Sequence, residues 1–146
     1  MTRYCMVSEM SVLIDTGIFI AFHNTKDENH KRANELIREI IEGKHGIAYT
    51  TDYIFDEAVT TALMRTGKQD IAVELGENIL GVKVKFVNMI QIDHTSFSFG
   101  WKLFNKYINK KLSFTDCVSI AVIKNYELNK IISFDSDFDG IIPRYF

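Results

Sequence analysis

Two hydrophobic patterns alternate along this chain: short unbroken apolar runs, and longer stretches whose apolar residues recur three and four apart. Ser11 to Ile14 (SVLI) is of the first kind and predicts a buried strand, followed by a short helix through Ile18, Ile20 and Phe22. Thr25 and Glu28 have the spacing of a capping box. Ala33, Leu36, Ile37, Ile40 and Ile41 then trace one helical face, which Gly43 ends. Gly46 to Thr50 predict a second strand. Asp52 to Arg65 predict a helix broken at Gly67, and Lys68 to Leu80 another that stops at Gly81. Lys83 to Val87 alternate apolar and basic residues and read as a third strand. Phe97, Trp101, Phe104 and Ile108 fall on one face of an amphipathic helix, and Ser113 to Tyr126 predict a helix that is apolar nearly all round its centre. Lys130 to Phe134 close as a fourth strand, with Gly140 to Ile142 as a short fifth.

Strands separated by helices, with strand runs apolar rather than alternating, predict an α/β fold: a parallel sheet of four to five strands covered on both faces. There is no internal repeat, low-complexity tract or linker. The expected organisation is a lead-in over residues 1–10, with Met6 or Met10 as an alternative start, and one domain over residues 11–146. At 146 residues, 47% hydrophobic and 25% charged, the chain suffices for one core and is short for two domains. The net charge of −2 advertises no global attraction to nucleic acid, although a cluster of acids would mask a basic groove beside it. Cys5 and Cys117 form neither a disulfide framework nor a zinc pattern, and Cys117 reads as a buried thiol. No signal peptide and no apolar stretch of membrane-spanning length is visible, so the expected location is the cytoplasm, with no membrane partner.

Chemistry enters where the apolar runs stop. Residues 131–140, IISFDSDFDG, end a strand in three alternating aspartates. The spacing matches the first half of an EF-hand loop, but the twelfth position counted from Asp135 is Phe146, where that loop needs a glutamate. In open parallel sheets, sites form outside the carboxyl ends of the strands. Asp15 ends the first strand and Asp135 the fourth; if those strands are neighbours, their carboxylates converge. Asp116 opens the helix leading to the fourth strand, and Glu57 sits one turn into the helix after the second. Each acid also has a plain structural reading. Asp15 fits a helix cap, Asp116 the acid of a Ser113-x-x-Asp116 capping box, Glu57 a solvated helix residue, and Asp135 to Asp139 a polar turn.

Taken together the four are harder to dismiss, because Asp15, Asp116 and Asp135 abut apolar runs where charge is costly. Two like charges ~4 Å apart repel by about 4 kcal/mol at an effective dielectric near 20. Four such groups cannot all stay ionised: either some are protonated or a cation sits among them. Mg²⁺ or Mn²⁺ suits an all-oxygen ligand set and supports hydrolysis of a phosphodiester by activated water. The chain offers no better nucleophile.

The segments VLIDTGIFIAF, DYIFDEAVT, LSFTDCVSIAV and IISFDSDFDG, in this order and spacing, resemble the PIN-domain family, most of all the small single-domain toxins of VapBC toxin–antitoxin pairs. The resemblance covers the chain from Ser11 onward. It implies an α/β/α sandwich around a parallel sheet, a metal-dependent ribonuclease site acting on RNA, a cognate antitoxin and a homodimer. The family's acids fall on Asp15, Glu57, Asp116 and Asp135, with Asp137 at a less regularly acidic position that would add a ligand. Thr16, Thr115 and Ser133 match small hydroxyl positions that orient those carboxylates. Gly17 departs from the pattern, standing where the family often has a polar residue.

Arg65, Lys68, Lys102, Lys106, Lys110 and Lys111 form a candidate basic rim for a phosphate backbone, or else a solvated surface. The helical spacing of Phe97, Trp101 and Phe104 favours core or a subunit contact over base stacking. Ile71, Leu75 and Ile79 give their helix an apolar stripe that packs inward or meets a second copy. Two rivals to a toxin nuclease stay open: a housekeeping RNA-processing nuclease, and a non-catalytic RNA- or protein-binding module on the same fold. A phosphoacceptor domain ranks below both, because VLIDTG lacks a second early acid.

Overall fold

The structure is a computed structural model that describes residues 10–146. The expected lead-in, Cys5 and the start at Met6 lie outside the described residues. Among the described residues, eleven α-helices and β-strands follow in order: β1 (Ser11–Ile14), α1 (Thr16–His23), α2 (His30–Ile41), β2 (Ile47–Thr51), α3 (Asp52–Thr66), α4 (Gln69–Leu80), β3 (Asn88–Ile90), α5 (His94–Lys106), α6 (Phe114–Asn125), β4 (Lys130–Ile132) and β5 (Arg144–Tyr145).

The five strands form one sheet in the order β3-β2-β1-β4-β5, and every pairing is parallel. β1 is buried along its whole length, as a central strand covered on both faces must be. From β1 the chain steps to β2 and β3 on one side, then returns to place β4 on the other. Right-handed crossovers, the rule for parallel strands, send the helices of those two directions to opposite faces. The layers are therefore helix, sheet, helix. The core runs through both faces of the sheet, from Val12, Leu13 and Ile14 to Ile120, Ile131 and Ile132.

Local chemistry sets the element ends. The Thr51 hydroxyl accepts the Ile54 N–H and starts α3, while Gly67 at φ 68° ends it, a left-handed conformation that costs other residues more. α5 and α6 approach closely because Gly100 has no Cβ; one there would stand 2.7 Å from Val118 Cγ2. Leu75 and Ile79 pack inward, which settles the stripe of α4, and Cys117 is buried as expected.

Three expectations need correction. Lys83 to Val87 form no strand; β3 is Asn88–Ile90, placed by pairing to Tyr49–Thr51 of β2. The fifth strand is Arg144–Tyr145 rather than Gly140 to Ile142, since Ile142 turns into the core. α2 begins at His30 without the Thr25–Glu28 capping box. Its entry is fixed instead by Asp27 Oδ1, which accepts the Asn29 N–H, and by His30 Nδ1 paired with the Ala21 carbonyl at 2.8 Å.

Candidate active site

Strand order reverses at β1, so the crevice at its carboxyl end, between β1 and β4, is the topological switch point where such sheets bind ligands. β1 and β4 are adjacent, with Ile14 paired to Ile132, and the Asp15 N–H extends the ladder to the Ile132 carbonyl at 3.0 Å. This register sets Asp15 beside Ser133. Asp15 holds the N-cap position of α1, yet its side chain makes no capping bond. It accepts a 2.6 Å hydrogen bond from the Ser133 hydroxyl instead. The same hydroxyl accepts the Asp135 N–H at 3.0 Å, so one buried serine ties together both strand ends.

Asp135 accepts the Asp137 N–H at 2.9 Å, which folds Ser136–Phe138 into a 3₁₀ turn. Asp116 forms the capping box expected of its structural reading: its Oδ2 accepts the Ser113 N–H at 2.9 Å, and the Ser113 hydroxyl accepts the Asp116 N–H. Capping and site-facing are compatible here, because the box leaves Asp116 on the wall of the cleft. Glu57, Thr61 and Arg65, spaced four apart on α3, present one helical face to the same space.

That space is an open cleft of 590 Å³, and Asp15, Glu57, Asp116 and Asp135 all line it. Burial pushes the Asp15 carboxyl up to about 7, against the pull of the Ser133 hydrogen bond, and repulsion from Asp116 and Glu57 adds to the rise. Burial likewise raises Asp116 to about 6, with further repulsion from Glu57 and Asp135. Each of these two carboxyls thus feels the charge of two of the other acids.

Of the other predicted residues, Thr16 lines the cleft with a buried hydroxyl that has no hydrogen-bond partner. Thr115 is half-buried outside the lining, and Asp137 is exposed outside it. Asp139, read as part of a turn, is clamped by Arg144 through bonds of 2.7 and 2.9 Å. Arg65 reaches the cleft, whereas Lys68, Lys102, Lys106, Lys110 and Lys111 are exposed away from its lining. Asp27, Asn29 and Thr61 line it without having been singled out in the sequence. Thr61 was accessible through its four-residue spacing from Glu57; the polar loop holding Asp27 and Asn29 carried no comparable signal.

The donors fit a hard divalent cation. They are carboxylates, of which burial first and neighbouring acids second raise Asp15 and Asp116, with an unpartnered buried hydroxyl at the same wall. Among the described residues, no three His, Cys, Asp or Glu side chains are gathered into a ready ligand cage.

Comparison with known proteins bears on the family and the fold. A VapC ribonuclease of Archaeoglobus fulgidus is 33% identical over 130 residues, covering 88% of this chain and 80% of that protein. The crystal structure of Mycobacterium tuberculosis VapC20, described as a Sarcin-Ricin loop cleaving toxin, superposes with a TM-score of 0.76 at 22% identity, over 88% of this chain and 93% of that one. VapBC2 from Rickettsia felis, solved bound to a DNA fragment from its promoter, superposes at 0.66 with 11% identity, over 93% and 98%. The sequence model of the PIN domain matches residues 12–141, and the chain belongs to the PIN-domain family.

Proposed function

We propose that this chain is a metal-dependent endoribonuclease and the toxin of a VapBC-type toxin–antitoxin pair. The observation that carries the reading is the convergence of Asp15, Glu57, Asp116 and Asp135, from four separate elements, on one cleft at the β1–β4 switch point. The ribonuclease named among its relatives supports the reaction, and the likeness to VapBC2 of Rickettsia felis supports an antitoxin partner.

Those four carboxylates would hold Mg²⁺ or Mn²⁺, which when bound acidifies a water and offsets charge developing on the phosphoryl group. The chain's own residues do the positioning. Ser133 fixes the Asp15 carboxylate, and the Ser113 backbone fixes that of Asp116. Thr16 supplies a free hydroxyl, and Arg65 a cation for a phosphate entering the cleft. An antitoxin and a homodimer complete the reading, with exposed Leu63, Val73 and Leu80 along the apolar groove between α3 and α4 available to protein partners.

The test is cleavage of total cellular RNA with Mn²⁺, with EDTA, and by Asp116→Asn. Fragments are expected only from the wild type with metal. RNA binding without turnover, unchanged in Asp116→Asn, would put a non-catalytic binding module in its place.

A further inference from the structure

Arg144 is a charged residue in a largely enclosed place, and the chemistry of the cleft does not use it. Its side chain, on the short edge strand β5, is 7% exposed. Nε and Nη2 donate to the two carboxylate oxygens of Asp139 at 2.7 and 2.9 Å, and Nη1 donates to the Ser133 carbonyl at 3.1 Å. The guanidinium lies over the Phe146 ring, 3.9 Å from its centroid. A planar fork makes this set of contacts, and a lysine ammonium cannot copy it.

Both ends of that grip fall on the connection that carries Asp135. Ser133 begins it, and Asp139 ends the 3₁₀ turn over Ser136–Phe138. β5 holds the first end through the backbone as well, since the Tyr145 carbonyl accepts the Ser133 N–H at 3.1 Å. The Ser133 hydroxyl in turn donates to Asp15 and accepts the Asp135 N–H. Glu57 and Asp116 stand on helices, and Asp15 is the single residue joining β1 to α1. Asp135 stands in the longer connection between β4 and β5, the kind of segment least able to hold a ligand still without support. Fully buried Phe138 pins the middle of that segment, and Arg144 closes it at both ends. The guanidinium is also within electrostatic reach of Asp135. Its hydrogen bonds to Asp139 raise its proton affinity, and the charges of Asp139 and then Asp135 add to the rise against the cost of burial.

We propose that Arg144 is a positioning residue of the metal site: by joining the Ser133 carbonyl to Asp139, it holds the Asp135 carboxylate, and through Ser133 that of Asp15, in ligating position. This role rests on the metal-dependent reading above and adds to it a residue outside the lining of the cleft.

Mn²⁺ titration calorimetry of Arg144→Met and Arg144→Lys tests the role. Both variants should bind Mn²⁺ about tenfold more weakly than the wild type, the size of effect that follows loss of a group orienting a metal ligand. The sign separates positioning from charge, because losing a cation beside the acids would by Coulomb attraction alone tighten Mn²⁺ binding in Arg144→Met. Arg144→Lys keeps the charge and loses the fork, and it decides the matter should the methionine variant fail to fold. Ile79→Val, a core change beneath α4, should lower the melting temperature and leave Mn²⁺ affinity unchanged. In EDTA, hydrogen exchange at the Asp135 amide should be faster in the folded Arg144 variants, a readout that needs no metal. Wild-type Mn²⁺ affinity in Arg144→Lys, or wild-type exchange at Asp135, would overturn the role and leave the metal site standing. Equal weakening in Ile79→Val would also overturn it, by tying affinity to stability alone. Failure of the wild type to bind Mn²⁺ would overturn the metal-site reading, and the role with it.

Discussion

Asp15 and Ser133 stand 118 residues apart in the chain and share a 2.6 Å hydrogen bond at the carboxyl ends of adjacent strands. Because the serine hydroxyl also accepts the Asp135 N–H, it sets the direction of one acid and the backbone of another. Ser133→Ala is expected to lower stability by about 1–3 kcal/mol, since it strips a buried carboxylate and an amide of their shared partner. It should weaken Mn²⁺ binding by about 10–100-fold, the usual effect of removing a group that orients a metal ligand. Thermal melts and metal titration check the two effects separately.

Acidity gives a prediction whose sign is opposite to that of an ordinary ion-paired carboxylate. Asp15 at about 7 and Asp116 at about 6 hold protons more tightly in the folded chain than the usual 3.8. Between pH 4 and 7 the folded state therefore binds more protons than the unfolded one, and stability falls as pH rises through that window. The contribution from Asp15 is at most about 4 kcal/mol. Asp15→Asn should be more stable than the metal-free wild type at pH 8 and closer to it at pH 5. Denaturant unfolding at both pH values checks this; parallel behaviour of the two proteins would count against a buried, repelled Asp15.

Metal should reverse the penalty. Mn²⁺ at about 100 times its dissociation constant is expected to add about 2.7 kcal/mol to wild-type stability, and chelation to remove it. The gain should shrink as pH falls from 8 to 6, because protons compete for Asp15 and Asp116. Melting with and without EDTA across that range measures it.

Arg65→Ala isolates the phosphate contact. Arg65 is exposed on the cleft wall, so its loss should leave stability within about 0.5 kcal/mol and Mn²⁺ binding unchanged. RNA affinity should fall, with the slope of log affinity against log salt reduced by about one.

Gly100→Ala tests the scaffold instead. A Cβ at Gly100 would press on the Val118 side chain at 2.7 Å and on its Cα at 3.1 Å, forcing α5 away from α6. A loss of about 1–3 kcal/mol is expected from such overpacking, read in thermal or denaturant unfolding.

How much of this was legible in the sequence depended on whether the signal was local. β1 and β4 were visible because apolar runs ended abruptly in aspartate, and α6 because Ser113 and Asp116 announce its start. The adjacency of β1 and β4, on which the convergence of acids depends, is a pairing across more than a hundred residues and leaves no local trace. β3 was misplaced for a related reason. Its three residues are mostly exposed at a sheet edge, so pairing with β2, not its own pattern, defines it. At Trp101 the period located the face of α5 correctly, but periodicity cannot say whether protein or solvent covers that face.

The central claim is that four carboxylates act as one divalent-metal site. Titration calorimetry of Mn²⁺ into the wild type and into Asp15→Asn tests it most directly, without needing the RNA target. Saturable binding by the wild type that is lost or sharply weakened in Asp15→Asn is the predicted result. A folded wild type that takes up no Mn²⁺, or an Asp15→Asn variant that binds it as well, would contradict the account.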